Sequence, residues 1–246
     1  MSLLDFVPSS LLTLGAALSL CLGAWLAFFV DESSGRFSGL TSSLSAGIML
    51  TLGASMLLED FAPLPVGLFV AGALATAALL HVSHHHAHHA SSHSGAYVAG
   101  LSAAAVAAHS FPECFALFSA AMVSLPLGLA LAAAMVMHHI PLGLSVAAPM
   151  RAEAGGLGKS LKYTALAGFA PAALAVLTYA FSHTLFSPDS LEPFLAFAGG
   201  ILVCIAVIEL LPGAWRVGKT GVVGAGFAAG AAVMSTVLLV AGLWEG

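Results

Sequence analysis

Four side chains that can bind a metal ion lie within two long apolar stretches of the chain. His109 and Glu113 occur in one stretch, and His138 and His139 occur in the next. Residues four positions apart share a helix face, so a helical stretch places His109 beside Glu113. Imidazole nitrogens and carboxylate oxygens are ligands that Zn²⁺ and similar ions take. These four residues therefore predict a metal site inside an apolar environment.

A proline accompanies each of these groups. The pattern His-x-x-Pro occurs at 109–112 and again at 138–141, 29 residues later. Each proline removes a backbone donor and frees a carbonyl one turn earlier, and irregular backbone within a membrane is tolerated where it lines a cavity. Because consecutive membrane helices run in opposite directions, the two copies resemble an inverted repeat around a central site. The alternative is a polar cluster that only packs the two helices together.

The composition places these residues in a membrane protein. Of the 246 residues, 60% are hydrophobic and only 7% are charged, and the mean hydropathy is +1.04. Soluble domains carry about 25% charged residues. This balance excludes an ordinary soluble enzyme and a disordered chain, and six Lys and Arg residues leave no basic patch for nucleic acid. The three cysteines show no CxxC spacing and indicate no disulfide framework.

Eight apolar runs are long enough to approach or exceed the length of a membrane-spanning helix, which is about 20 residues. They do not alternate polar and apolar residues as the strands of a membrane barrel would. We therefore expect an all-α bundle of eight transmembrane helices, forming a single domain over 1–246. The runs cover approximately 11–30, 39–59, 64–82, 96–122, 124–150, 162–186, 191–215 and 221–244.

The positive charges predict the orientation of this bundle. With eight spans, every Lys and Arg falls in a loop on the same side of the membrane. Basic loops are typically cytoplasmic. Both termini are then extracellular or periplasmic, and the protein is a multi-pass protein of the plasma membrane or the bacterial inner membrane. The six cations are Arg36, Arg151, Lys159, Lys162, Arg216 and Lys219.

Seven of the eleven histidines are concentrated between the third and fourth runs, on the predicted cytoplasmic side. Short His-rich tracts are a compositional signal of metal binding. We predict a flexible metal-collecting loop over 81–94, which contains His81, His84, His85, His86, His88, His89 and His93.

The chain resembles the ZIP (Zrt/Irt-like) family of divalent-metal transporters. The family motif His-Asn-x-Pro-Glu-Gly is similar to the sequence from His109 to Cys114, and its second copy is similar to the sequence from His138 to Gly143. Further supporting patterns are Gly200-Ile201-Leu202-Val203 with Glu209-Leu210-Leu211-Pro212, and Ala46-Gly47-Ile48-Met49-Leu50 with the later Glu59.

The resemblance implies transport of divalent transition-metal ions toward the cytoplasm. It carries over His109, Glu113 and His138 as ligands, with His139 as a fourth. Many family members hold two metals bridged by carboxylates, but here Leu142 and Pro171 stand where two of those carboxylates are expected. We therefore expect a single-metal site, rich in nitrogen, that favours Zn²⁺ over harder ions such as Mn²⁺.

Several other residues are candidates for the ion pathway. Glu59 and Asp60 either gather cations at an entrance or are interfacial charges. Glu209 is an exit ligand or the ion-pair partner of Arg216, and Ser110 replaces the family's Asn. Methionines are interpreted mainly as core residues, with Met49 or Met56 as alternative soft ligands.

Two further classes of function compete with transport. One is a membrane-embedded zinc hydrolase in which Glu113 acts as general base. The other is a membrane protein that binds metal without moving it. No cofactor is expected, and the bound ion is Zn²⁺ first, with Ni²⁺, Co²⁺, Cu²⁺, Fe²⁺ and Cd²⁺ as alternatives. The expected partners are the ion and the lipid bilayer, with a homodimer left open and no nucleic acid.

Overall fold

The computed structural model describes residues 3–29, 36–58, 63–89, 95–123, 125–152, 156–185 and 191–245. Within these ranges the chain is helical and contains no β-strand. One short segment, Ala206–Leu210, is a π-helix. The α-helices are α1 (Leu3–Ala17), α2 (Ser19–Leu26), α3 (Arg36–Leu58), α4 (Pro63–His89), α5 (Gly95–Val123), α6 (Leu125–Ala152), α7 (Leu157–Leu185), α8 (Leu191–Ile205), α9 (Leu211–Val217) and α10 (Thr220–Glu245).

The predicted all-α membrane fold is confirmed. Six stretches of the described residues are long and apolar enough to cross a bilayer, and two shorter apolar stretches lie in α4 and α6. At 27 and 28 residues, α4 and α6 are each about 40 Å long, which exceeds a bilayer core. The number of eight spans and the orientation of the termini remain predictions. The six spans cover Asp5–Leu26, Arg36–Leu57, Ala103–Met122, Leu157–Phe181, Leu195–Val217 and Thr220–Val240.

The helices pack as two groups. Helices α1, α2, α5, α6 and α7 contact one another and form the first group, whereas α3, α4, α8, α9, α10 and the π segment form the second. The groups meet mainly where α3 and α10 contact α6, with smaller contacts of α5 with α4 and α8. The two helices that carry the predicted ligands, α5 and α6, therefore both belong to the first group.

Glycines bring helix backbones into direct contact within each group. A Cβ atom on Gly143 of α6 would overlap the Leu20 carbonyl oxygen of α2, and one on Gly23 would overlap the Ile140 carbonyl oxygen. In the second group, a Cβ on Gly230 of α10 would overlap the Leu44 carbonyl oxygen of α3. Small residues are favoured at such interfaces because membrane helices associate by close packing rather than by hydrophobic exclusion.

We expect Gly143→Ala to lower the yield of folded protein and its melting temperature in detergent, because the new methyl group must push α2 away from α6. Gly15→Ala is the matched control, since a Cβ at Gly15 meets no atom within 4 Å. Alanine in an open helical position is also slightly stabilising. Equal melting temperatures of the two variants would contradict the packing argument.

The predicted loop over 81–94 is largely helical, which corrects that prediction. Helix α4 continues to His89, and only residues 90–94 of the segment lie outside the described part of the chain. The segment from His81 to His89 contains no Gly or Pro, and histidine is a moderate rather than a strong helix breaker. The apolar pattern ends near His81, but nothing in the sequence ends the helix there.

Candidate metal site

Glu113 of α5 and His138 and His139 of α6 converge at the interior of the first helix group. All three are buried, with exposed fractions of 5%, 2% and 0%. A buried carboxylate is costly in an apolar interior unless it is paired with a cation or with hydrogen-bond donors. The structure therefore brings together three of the four side chains that the sequence predicts as metal ligands.

One carboxylate oxygen lies between the two imidazole rings. The Oε2 atom of Glu113 is 3.0 Å from Nε2 of His138 and 3.2 Å from Nε2 of His139. The rings of His138 and His139 are arranged edge to face, with their centroids 4.8 Å apart. One ligand atom from each of the three residues lies within 4.8 Å of the others. Small side-chain movements would place all three atoms around one ion.

A backbone contact determines how the His138 ring is oriented. Its Nδ1 atom lies 3.1 Å from the Ala134 carbonyl oxygen, which can only accept, so Nδ1–H donates. In the neutral ring, Nε2 then presents its lone pair to the Glu113 carboxylate. Two lone pairs at this distance repel unless a proton or a metal ion lies between them. Metal-binding histidines are commonly oriented by such a bond from the second ring nitrogen.

The two prolines do not break the helices that carry the site. Helix α5 is continuous through Pro112, and α6 is continuous through Pro141. The prediction of irregular backbone at these residues is therefore wrong, because a membrane helix can lose one hydrogen bond and remain helical. The interruptions occur instead at Leu18, between α1 and α2, and at the π segment.

The interruption at Leu18 lies beside the site. The backbone of Ala16, at the end of α1, lies near the His139 ring, whose Nδ1 atom has no hydrogen-bond partner. Ser19, at the start of α2, donates a hydrogen bond of 2.6 Å to the Ala16 carbonyl oxygen. Sequence reasoning did not identify these residues, because backbone groups leave no signal in the side-chain pattern.

The other predicted site residues lie elsewhere in the structure, or their side chains lie outside its described part. His109 lies one turn before Glu113 on α5, but its side chain is outside the described part of the structure. Ser110 is fully buried, and its Oγ atom has no hydrogen-bond partner. Glu209 is exposed on the π segment of the second helix group. Glu59 and Asp60 lie outside the described residues, as do the side chains of His84, His85, His86, His88 and His89.

The two positions that lack the expected carboxylates are packed in the interior. Leu142 belongs to an apolar cluster with Leu20 of α2 and Val146 of α6. Pro171 is buried within α7. Among the described residues, Glu113 is the only carboxylate in a group of residues suited to hold a metal ion.

A small cavity adjoins Glu113 and His138. Its volume is about 20 Å³, room for roughly one water molecule. It extends from the two ligands toward the connection between α5 and α6, since the other α5 residues that line it follow Glu113 and the other α6 residues precede His138. The lining residues are Ile48, Met49, Leu52, Glu113, Ala116, Leu117, Leu131, Ala134, Met135 and His138.

The chain matches a known family model and is similar to several known proteins. A family model described as ZIP zinc transporter matches residues 72–238, which include both His-x-x-Pro segments. The chain is 31% identical to the zinc transporter ZupT of Akkermansia muciniphila over 93% of this chain and 96% of that protein. It is 30% identical to zinc transporter ZupT of Escherichia fergusonii, over 94% and 95% of the two chains. It is also 31% identical to zinc transporter ZupT of Chlorobium phaeovibrioides, over 96% and 98%.

Proposed function

The chain belongs to the ZIP family of metal transporters, and we propose that it carries Zn²⁺ across the cell membrane through a site formed by Glu113, His138 and His139. It is a multi-pass membrane protein that transports divalent metal ions, not an enzyme. The hydrolase considered from the sequence is therefore set aside. The observation that carries the proposal is the buried Glu113 oxygen held between two imidazole Nε2 atoms.

The donor set suits a partly dehydrated zinc ion. Two imidazole nitrogens and one carboxylate oxygen supply three of the four ligands of a tetrahedral zinc site. His109 is proposed as the fourth, because it shares the helix face of Glu113 one turn away. The deep burial of these groups means that an ion must exchange water for protein ligands to enter the site. Neutral imidazole rings and one charged carboxylate supply those protein ligands, and the site needs no second cation.

We infer that the site holds one ion. Two divalent ions a few ångströms apart repel strongly where the dielectric constant is low. Bridging carboxylates offset that repulsion, and here only Glu113 is available among the described residues near the two histidines. Leu142 contributes apolar packing at the position where a bridging carboxylate is expected.

Passage of the ion requires the two helix groups to shift relative to each other. On one side of the site, the cavity is lined by both groups, with Ile48 from α3 and Leu131 from α6. On the other side, Leu210 of the π segment packs against the apolar cluster that contains Leu142 and Val146. Apolar side chains at both ends exclude hydrated ions. The predicted orientation makes the cavity side external and the Leu210 side cytoplasmic, so we propose inward transport.

The histidine-bearing end of α4 is proposed as a metal-collecting segment. His81, His85 and His89 recur every four residues and therefore lie on one side of the helix. Paired histidines at this spacing are a known arrangement for zinc binding on helices. This segment lies beyond the apolar part of α4, so it is proposed to gather ions without forming the path.

Replacing His84, His85, His86, His88 and His89 with Gln is expected to lower zinc binding in detergent while zinc uptake at saturating zinc persists. Glutamine is a good helix former, so α4 is retained. Equilibrium dialysis measures the bound zinc, and proteoliposome uptake measures the transport. Complete loss of uptake in a folded variant would instead place this segment in the path.

Zinc uptake into proteoliposomes containing the purified wild-type chain tests the proposed function. Uptake should saturate with zinc concentration, and detergent lysis should release the accumulated zinc. Protein-free liposomes are the control. Zinc that stays attached to the protein after lysis, with no release, would indicate a metal-binding protein that does not transport. A panel of competing divalent ions ranks the substrates.

A further inference from the structure

Three of the six cations of the chain lie together at one end of the second helix group. Helix α3 begins at Arg36, and Arg216 and Lys219 flank Gly218 where α9 ends and α10 begins. All three cationic side chains are exposed. The predicted orientation places this end of the group at the cytoplasmic surface of the membrane.

A contact between two glycines holds these segments together. A Cβ atom on Gly39 of α3 would lie 2.7 Å from the Cα atom of Gly218, which is closer than a side chain allows. Arg36 lies one helical turn before Gly39, and Arg216 and Lys219 lie within two residues of Gly218. The backbone contact therefore brings the bases of the three side chains close together, and their length lets them meet around one anion.

The surrounding backbone and charges favour an anion here. Both α3 and α10 begin at this place, and neither has an acidic residue in its first turn to offset the partial positive charge of a helix N-terminus. Within the described part of the chain, no carboxylate forms an ion pair with Arg36, Arg216 or Lys219. Asp31 and Glu32 precede α3, outside the described residues. These two carboxylates are fewer than the three cations, so the cluster keeps a net positive charge.

Exposed apolar side chains adjoin the cations. Trp215 and Val217 of α9 are each about half exposed, and Phe37 and Leu40 near the start of α3 are also exposed. A free phosphate ion would gain nothing from these side chains. A phospholipid carries a phosphate group and acyl chains in one molecule, so it matches both the charge and the apolar surface. Tryptophan is also enriched where a membrane meets water.

We propose that Arg36, Arg216 and Lys219 bind the phosphate group of an anionic phospholipid whose acyl chains pack against Trp215 and Val217. Basic pockets between membrane helices on the cytoplasmic side are suited to such headgroups. The lipid would contact α3, α9 and α10, all in the second helix group. None of these helices carries Glu113, so this binding does not depend on the proposed zinc site.

The test measures binding of phosphatidylglycerol to the purified chain in neutral detergent by native mass spectrometry. Arg216→Gln/Lys219→Gln is expected to raise the dissociation constant of the first bound lipid about 30-fold, since each cation near an anionic membrane contributes about fivefold. Arg36→Gln should raise it about fivefold for the same reason. All three positions are exposed, so folding should be little affected.

Lys159→Gln/Lys162→Gln is the matched control. It removes two positive charges from exposed positions on the same predicted side of the membrane. Its helix, α7, packs against α1, α2, α5 and α6 in the first group. The control should therefore keep the wild-type affinity for phosphatidylglycerol. Phosphatidylcholine, which has no net charge, should bind the wild type more weakly than phosphatidylglycerol does.

Fluorescence quenching locates the bound lipid. In a protein that carries Trp25→Phe and Trp244→Phe, the remaining tryptophan is Trp215. In phosphatidylcholine liposomes, a small fraction of phosphatidylglycerol with brominated acyl chains should quench Trp215 more than the same fraction of brominated phosphatidylcholine. Adding Arg216→Gln/Lys219→Gln should abolish this difference.

Equal weakening by the two double variants would overturn the proposal, because it would indicate only a general attraction between opposite charges. Equal binding of the two lipids, or equal quenching by their brominated forms, would also overturn it. Glycerol phosphate that binds as tightly as the lipid would assign the cluster to a free phosphate instead. If Arg216→Gln/Lys219→Gln does not fold, the single variants Arg36→Gln and Lys219→Gln decide, with about fivefold weakening expected of each and wild-type affinity contradicting the proposal.

Discussion

Glu113→Gln is expected to reduce zinc uptake into proteoliposomes at least about 100-fold, since loss of even an indirect metal contact costs 10- to 100-fold in affinity. Glutamine keeps the size of the side chain but removes the negative charge that lies between His138 and His139. A neutral amide oxygen is a much weaker ligand for a divalent ion than a carboxylate. Without that charge, the ion has too little attraction to offset the loss of its water.

The same substitution is not expected to unfold the protein. The glutamine amide can donate to the Nε2 lone pair of His138 or His139, and a neutral group costs less to bury than a carboxylate. The melting temperature without metal should therefore equal or exceed that of the wild type. The rise in melting temperature that zinc produces in the wild type should disappear, because stabilisation by a ligand requires binding to the native state.

Asp5→Asn is the control for Glu113→Gln, since Asp5 is an exposed carboxylate in α1 and is absent from the site. It should leave both uptake and the zinc-dependent rise in melting temperature unchanged. Wild-type uptake by a folded Glu113→Gln variant would exclude Glu113 as a required ligand and with it the proposed site.

Leu142→Glu is expected to add a second zinc-binding position while making the metal-free protein less stable. Leu142 lies one turn after His138 on α6, so a carboxylate there faces the same side of the helix. It also sits in an apolar cluster with Leu20 and Val146, where an uncompensated charge costs about 3–5 kcal/mol. A second metal ion would neutralise that charge, and Glu113 and the new carboxylate could then share two ions.

The measurement combines melting temperature with zinc stoichiometry. Both are determined in a background in which all seven histidines of the tract, at 81, 84, 85, 86, 88, 89 and 93, are replaced by Gln, so that the tract does not contribute to the zinc count. The wild-type site should bind one zinc ion and the Leu142→Glu site two. Zinc should raise the melting temperature of the variant more than that of the parent.

Leu144→Glu is the matched control for Leu142→Glu. Leu144 is equally buried on α6, but it packs against Ala24 and Ala147 in a different apolar cluster. The two variants should be destabilised to a similar extent without metal, and only Leu142→Glu should recover with zinc. An identical zinc response of both variants would refute the single-metal explanation, as would two zinc ions in the wild-type site.

The sequence by itself determined the residue types at the site. Glu113, His138 and His139 stood out because a titratable group within an apolar membrane segment is costly and is seldom found there without a function. The fold class was equally accessible, because nearly all backbone hydrogen bonds within a bilayer must be satisfied by helices when the strand alternation of a barrel is absent. The family motifs pointed to metal transport, which the comparisons confirmed.

The tertiary structure decided what those residue types do together. The packing of α5 against α6 is what places one Glu113 oxygen between two imidazoles. The cavity with Met49 and Met135 brings together helices from two different groups. Sequence periodicity describes one helix at a time, whereas these contacts depend on which helix faces meet. The glycines that allow two helices to approach closely can be interpreted only once their partner helices are known.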